Sequence, residues 1–228
     1  MRRKKKRQKA ARAGVRINRR AVRLAALTRE QFGRLLQNRL IRTEPYRTMV
    51  LLSACTGLIP SELSVLKWRD VDRENGKLYV HNPIWGISAT VPLSPGLANV
   101  LIKWKRRSRF THSDDLVFAR RGGKLPFDFS RVQKDRLEQA GIDIGFGRLS
   151  AKSVQPLGWD SFRRSYATWL NTTGASSVVL MRLLRLTTPP RPIDDMASES
   201  PMREANSKVV DLAMSVDVSI RHTRQLQR

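Results

Sequence analysis

The sequence is poor in several features on which whole classes of protein depend. Its one cysteine in 228 residues, Cys55, argues against an internal disulfide framework and against a cysteine-built zinc site. No apolar run approaches the roughly 20 residues of a membrane-spanning helix, so we do not expect an integral membrane protein. The three histidines have no metal-ligand spacing, and neither a metal site nor a cofactor is predicted.

Acidic residues are also scarce. The chain has 44 Lys and Arg against 19 Asp and Glu, a formal net charge of +25. Residues 1–24 hold twelve of the basic residues and no acidic one, while the other 204 residues carry a net charge of +13. An excess of this size predicts a polyanionic partner, with nucleic acid ahead of an anionic membrane surface.

Residues 1–25 are predicted to form a basic, disordered tail, because they contain too few large apolar residues to fold alone. Such a tail binds phosphates through counterion release, which makes Arg3, Lys4 and Lys5 candidate DNA contacts. No apolar segment follows the basic start, so a secretory signal is not expected. A solubilising leader and a transit peptide remain alternatives.

The patterning of the body predicts a mainly helical domain with a small antiparallel β-sheet inserted near its start, an α+β fold. Thr28 and Gln31 have the spacing of a capping box at the start of the first helix. Gly57 is the expected terminator of the second helix. Short strands are predicted at Lys77–His81 and Ile87–Leu93, separated by turn residues.

The second half of the body is predicted to be helical up to a proline-rich break. Helices are expected at Phe129–Ala140, ended by Gly141, and later at Asp160–Leu170 and Ser176–Leu186. Three prolines in four positions, 189–192, forbid a helix there, and a last amphipathic helix is predicted at Glu204–Val216. The predicted division is a domain at 26–186, an irregular break at 187–202, and a C-terminal helix and tail at 203–228.

Candidate DNA contacts also occur within the body. The densest basic cluster lies at residues 103–110, where five cations stand beside two aromatic residues, a combination suited to a phosphate backbone. The alternative is a solvated helix end, where cations are favoured by the helix dipole. The candidates in the body are Lys67, Lys103, Lys105, Arg106, Arg107 and Arg164.

Four segments of the body stand out by their order and spacing: ACTGLIPSEL with LKWRDVD, then VPLS, FRRSYATWL and REANSKVV. Together they resemble the catalytic domain of the tyrosine recombinases, or phage integrases. The first box is similar to residues 54–63 (ACTGLIPSEL) with 66–72 (LKWRDVD), and the second to 162–170 (FRRSYATWL). Between them, 91–94 (VPLS) resembles the turn after the family's β-hairpin, and 203–210 (REANSKVV) resembles a C-terminal segment of some members. The resemblance covers about residues 26–212.

The resemblance implies phosphoryl transfer to a tyrosine without a metal ion. In the family, two arginines and a His or Trp stabilise the developing charge, while a hairpin lysine and a histidine move protons. Arg163 stands at the second arginine position, and the hairpin between Val80 and Val91 has no lysine. The other family positions fall on Ile59, Asp160, Leu186 and, for the nucleophile, Asp195 or Met196.

With one of six catalytic positions retained, the resemblance implies a family member that binds DNA but does not cleave it alone. Each lost donor removes on the order of 3–4 kcal/mol of transition-state stabilisation. The expected partners are double-stranded DNA and, as alternatives, an intact recombinase or a second copy docked through the C-terminal helix; with this resemblance, a membrane is not an expected partner. The expected location is cytoplasmic, at the nucleoid.

Two other interpretations of the chain remain open. One is an altered-site recombinase completed in trans by another subunit's tyrosine, and the other is a relic of a mobile element. Arg163 has a structural interpretation too, as a helix cation paired with Asp160. Glu62 and Asp70 are read as capping or pairing residues, and Phe162, Tyr166 and Trp169 as core.

Overall fold

The computed structural model of the chain describes residues 25–83, 86–120, 122–150, 153–154, 156–186 and 199–215. In this part of the chain the helices are α1 (Arg29–Gln37), α2 (Tyr46–Thr56), α3 (Pro60–Val65), α4 (Pro95–Lys105), α5 (Phe129–Val132), α6 (Glu138–Asp143), α7 (Trp159–Thr172), α8 (Ser177–Leu183) and α9 (199–215). The strands are β1 (Val71–Asp72), β2 (Lys77–Asn82), β3 (Ile87–Pro92), β4 (Arg148–Ser150) and β5 (Ser153–Val154). The predicted fold class, mainly α with a small antiparallel sheet, is confirmed.

The predicted helix ends around the first two helices are confirmed. The Thr28 hydroxyl accepts a hydrogen bond from the Gln31 N–H at 3.2 Å, and the Gln31 side chain accepts one from the Thr28 N–H at 3.1 Å. This reciprocal pair satisfies two N–H groups that a helix start leaves without partners. Gly57 ends α2 with a positive φ of 65°, a conformation that glycine adopts without steric penalty.

The three-stranded sheet has the order β1-β2-β3 and is antiparallel throughout. Leu78 pairs with Val91, and both side chains are fully buried beneath the helices. The two predicted hairpin strands match β2 and β3 to within one residue. The second, two-stranded sheet, β4-β5, was not predicted, because strands of two or three residues are too short to show alternation.

Gly141 does not end its helix, so that prediction is wrong. A π-helical stretch, Gln133–Leu137, joins α5 to α6, and the helix continues through Asp143. The glycine serves close packing instead, because a Cβ atom there would lie 2.5 Å from the Leu157 Cβ. The chain leaves the helix at Gly145, which has a φ of 72°.

The core is built around α2, which packs against both α7 and α4. The aromatic residues of α7 were predicted to be core, and this is confirmed: Phe162, Tyr166 and Trp169 are buried. Trp169 packs edge-to-face against Phe32 of α1, with ring centroids 5.2 Å apart. These contacts fix α7, which carries Arg163, against the end of α2.

Helix α9 lies on this same body. Its buried face contains Asn206, Val209, Val210 and Ala213. It is already helical at 199, so residues 199–202, predicted to belong to the irregular break, are helical. The remainder of that break, 187–198, the last residue of the predicted C-terminal helix with the tail beyond it, 216–228, and residues 1–24 lie outside the described residues. Within the described ranges, no helix combines the length and apolar character needed to cross a membrane.

Candidate functional site

Arg163 lies one turn into α7 and reaches two backbone carbonyls from other elements. Its Nη1 donates a hydrogen bond to the Gly57 carbonyl at 2.8 Å, and its Nη2 donates to the Leu184 carbonyl. Burial, assisted by the charge of Arg185, lowers the pKa of Arg163 to about 10. The guanidinium therefore stays charged at neutral pH, and it ties α7 to the ends of α2 and α8.

Arg185 is the residue of this cluster that sequence reasoning missed. It follows α8 with a φ of 56°, the one positive φ of a non-glycine residue in the described part of the chain. Its side chain is 6% exposed and forms a two-pronged ion pair with Glu62, which is 2% exposed; both N–O distances are 2.9 Å. A buried carboxylate needs such a partner. Glu62 is the one charged residue of its short helix, which was the available clue, but the sequence does not say which cation pairs with it.

The Arg185 guanidinium has no donor left over. Besides Glu62, it donates to the carbonyls of Thr56 at 3.3 Å, Leu183 at 2.8 Å and Gly57 at 2.8 Å. A guanidinium has five N–H donors, and these contacts engage all five. All N–H donors of Arg185 are therefore used within the protein, whereas Arg163 has donors beyond its two carbonyl contacts.

The two arginines converge on one carbonyl, that of Gly57. A Cβ atom at Gly57 would lie 2.8 Å from the Tyr166 ring and 3.3 Å from Leu184, so only glycine leaves room for this packing. Glu62 also accepts a hydrogen bond from the Ile59 N–H at 3.0 Å. The cluster thus joins two guanidinium groups with one carboxylate, a net charge of +1 beneath the surface.

The residues at the other family positions do not complete a reactive site. Ile59 takes part through its backbone only, and Leu186 is 63% exposed. Asp160 is exposed and, among the described residues, forms no hydrogen bond or ion pair with Arg163, although its charge favours the protonated arginine. The predicted structural pairing of Arg163 with Asp160 is therefore wrong, because carbonyl groups hold Arg163 instead. Met196 and Asp195 lie outside the described residues.

The chain's three tyrosines all lie in the described residues, and each is placed elsewhere. Tyr166 is fully buried, and its hydroxyl donates to the Asn206 Oδ1 at 2.8 Å. Burial raises the pKa of this phenol, so it remains protonated. Tyr79 lies on β2 with 46% of its surface exposed, and Tyr46 is covered by the Arg136 guanidinium at 3.7 Å from the ring centroid.

Among the described residues, the predicted DNA contacts lie together at the end of α4, except for Arg164, which lies on α7. Lys103, Lys105 and, just beyond the helix, Arg106 and Arg107 stand at the C-terminal end of α4. The Lys105 Nζ lies 5.1 Å from the centroid of the Trp68 ring, which brings the turn that begins at Lys67 beside this helix end. Arg164 instead donates to the hydroxyl of Ser161 on its own helix at 3.2 Å. Arg3, Lys4 and Lys5 lie outside the described residues.

The part of the chain described by the structure contains no group of three or more His, Cys, Asp or Glu side chains that could hold a metal ion. Cys55 is buried within α2, and burial raises the pKa of its thiol to about 12. The charge that could act on an anion in the described site therefore comes from guanidinium groups.

A helical domain with an inserted antiparallel hairpin, and with arginines converging on the end of α2, has the architecture of a tyrosine recombinase catalytic domain. The sequence matches the phage integrase family over residues 25–185, and the chain belongs to this family. Among curated proteins, no sequence matches the chain significantly.

Solved structures with the same fold include three recombinases. The integrase from a mycobacterium phage, Brujita, is 17% identical with a TM-score of 0.61 over 81% of this chain and 57% of its own. The XerH site-specific recombinase bound to its difH substrate is 18% identical with a TM-score of 0.56, covering 77% and 53%. A lambda integrase dimer bound to a core site is 20% identical with a TM-score of 0.54, covering 74% and 62%. The chain thus spans less than two thirds of each.

Proposed function

We propose that this chain is a DNA-binding member of the phage integrase family that does not cleave DNA on its own. Its partner is double-stranded DNA, and its place is at the nucleoid in the cytoplasm. Family membership and a net charge of +25 support the DNA partner. The XerH and lambda structures of the same fold were solved on their DNA sites, which supports the same assignment.

The hydrogen bonding of Arg163 and Arg185 is the observation that best supports the proposed lack of DNA cleavage. All five donors of Arg185 are used inside the protein, so this group cannot clamp a phosphate. Arg163 remains the one candidate clamp in the described site, and the tyrosine on its own helix, Tyr166, is buried and hydrogen-bonded to Asn206. Strand cleavage requires an in-line nucleophile as well as preorganised cations.

The alternative is an enzyme completed in trans by an intact partner. A tyrosine from another subunit would supply the nucleophile, but it would not supply a guanidinium at Ile59 or a lysine in the hairpin. The relic alternative predicts poor folding, and the continuous buried core around α2 weighs against it. A single cooperative unfolding transition of the full chain would argue further against the relic.

Two measurements test the proposal. Fluorescence anisotropy with a labelled 30-base-pair duplex is expected to show binding that weakens steeply with added salt, since phosphate contacts release counterions. Binding that does not respond to salt would contradict this mode. A suicide DNA substrate that traps a cleaved strand on protein is expected to give no covalent adduct. Any protein-DNA adduct from the chain alone would refute inactivity, and an adduct formed only with an intact recombinase would favour the alternative.

A further inference from the structure

A cavity lies at the end of α4, and its lining includes none of the residues of the arginine cluster. It has a volume of about 290 Å³ and lies between the last two turns of α4, the 3₁₀ turn Trp68–Asp70 and β1. Its apolar wall is made by Val71, Leu101 and Ile102, beside Trp68. Small-molecule pockets are commonly about 300–1,000 Å³ with apolar walls and a few polar groups. At about 290 Å³ the cavity lies at the lower limit of this range, the size of a site for one small ligand.

The rim of the cavity is cationic. Arg73, Lys105 and Arg106 all line it, and no carboxylate does. Lys105 is held over the Trp68 ring, whereas the Arg73 and Arg106 side chains make no hydrogen bond or ion pair with any described residue. Both guanidinium groups are thus available to an incoming anion.

Three of the carboxylates near these cations in sequence accept hydrogen bonds within their own turns, while Glu74, next to Arg73, is exposed and does not line the cavity. Asp70 accepts a hydrogen bond from the Lys67 N–H at 2.8 Å, and Asp72 accepts from the Asn75 N–H at 3.0 Å. Asp115 accepts from the His112 N–H at 2.8 Å. A hydrogen-bonded carboxylate keeps its charge, so the argument for a cationic site rests on the lining itself, which holds three cations and no carboxylate.

We propose that this cavity binds one nucleoside monophosphate unit, with its phosphate on Arg73, Lys105 and Arg106 and its base against Val71, Leu101 and Ile102. An apolar wall beside a triad of cations matches a ligand with a flat heterocycle joined to a phosphate. Arginine is the side chain best suited to hold that phosphate with two parallel hydrogen bonds. The unit can be a free nucleotide or an unpaired nucleotide of a bound strand.

Calorimetric titration of the full chain at low salt tests the proposal, with adenosine 5′-monophosphate, adenosine and inorganic phosphate as probes. The monophosphate is expected to bind at least tenfold more tightly than either adenosine or phosphate, because only it uses both the wall and the rim. Equal affinities for the monophosphate and phosphate would overturn the proposal and leave an anion site only. No heat of binding with the monophosphate would overturn it as well.

Paired variants separate the cavity from general charge. The double variant Arg73→Gln with Arg106→Gln is expected to weaken monophosphate binding at least tenfold. The matched control, Arg107→Gln with Arg109→Gln, removes two charges from the same segment but none from the cavity lining, and should change it less than twofold. Equal losses in both doubles would overturn the proposal. Ile102→Trp, which fills the cavity without a charge change, should also abolish binding, and unchanged binding in this variant would contradict the assignment.

Competition experiments identify the source of the nucleotide. If a strand supplies it, a duplex with a one-nucleotide overhang will displace the monophosphate better than a blunt duplex of equal length. If both duplexes displace it equally, the ligand is the free nucleotide. This inference goes beyond the proposed duplex binding and fails separately from it. If the chain binds the monophosphate but no duplex, the proposed function is refuted while this inference stands.

Discussion

At the scale of single residues, the pairing of Glu62 with Arg185 explains how a carboxylate is tolerated in the core. Glu62 is almost fully buried, and an isolated charge there would be strongly unfavourable. Arg185 donates hydrogen bonds to both carboxylate oxygens, and its remaining N–H donors bind carbonyl oxygens at the ends of α2 and α8. The pair therefore joins α3, α2 and the chain after α8 at one point.

Replacing Arg185 by methionine is expected to lower the free energy of unfolding by about 3–5 kcal/mol, because it leaves Glu62 charged and unpaired in the core. Urea denaturation followed by circular dichroism measures this loss. The matched control is Arg69→Met, which breaks an ion pair with Asp114 whose side chains are 57% and 56% exposed. A solvent-exposed pair contributes about 0–1 kcal/mol.

The double variant Glu62→Gln with Arg185→Met should recover part of the loss, since it removes the unpaired charge. Arg185→Lys keeps the charge but loses the two-pronged geometry, and is expected to fall between wild type and Arg185→Met. An Arg185→Met variant no less stable than Arg69→Met would show that the pair contributes little.

At the scale of elements, α9 is held on its own body by a buried polar chain. The Asn206 side chain accepts from the Tyr166 hydroxyl at 2.8 Å and donates to the Pro92 carbonyl at 2.8 Å. Around it, Val209, Val210 and Ala213 are buried. Docking of this helix on a second copy or on an intact recombinase remains a prediction, and it would require these contacts to be released.

Asn206→Ala is expected to loosen α9, because the Tyr166 hydroxyl and the Pro92 carbonyl both lose their partner. A buried polar group without a partner costs about 1–3 kcal/mol. Thermal unfolding should show a lower midpoint for this variant, and limited proteolysis should cut α9 more readily. Lys208→Ala, on the exposed face of the same helix, is the control and should stay within about 0.5 kcal/mol of wild type. Equal behaviour of the two variants would mean that the buried chain does not hold the helix.

The sequence predicted the ends of helices correctly where a local interaction sets them. The capping box at Thr28 and the glycine turn at Gly57 are formed by residues within one turn of each other, so their patterns are legible in the sequence. The helix through Gly141 was not predicted correctly, because the distant Leu157 decides what that glycine is for. The β4-β5 pair was too short to leave a pattern.

At the scale of the whole molecule, the charge is distributed unevenly along the chain, and this bears on how it would bind DNA. The 204 residues beyond the first 24 have a net charge of +13, and the first 24 bring it to +25. The described cations at the end of α4 belong to the body, whereas Arg3, Lys4 and Lys5 belong to the predicted tail. We expect the two groups of cations to contribute separately to duplex binding and to its salt dependence.

Removing residues 1–24 is expected to weaken duplex binding at low salt and to flatten its salt dependence. Each phosphate neutralised contributes about −0.9 to the slope of log K against log salt for duplex DNA. Anisotropy titrations at four salt concentrations measure the slope. The control is a full-length chain with the twelve basic residues of the tail changed to Gln, which should behave like the deletion. An unchanged slope in both would show that the tail makes no phosphate contact.

The sequence by itself determined the fold class, the caps of the first helices, the core face of α7 and the family, because these depend on local spacing and apolar periodicity. The assignment of Arg163 to the family's second arginine position stays a prediction. Only the tertiary structure decided what Arg163 contacts and that Arg185 serves Glu62, 123 residues away along the chain. A buried carboxylate shows that it needs a cation, but which cation reaches it depends on how α3 and α8 pack, and no local pattern encodes that distance.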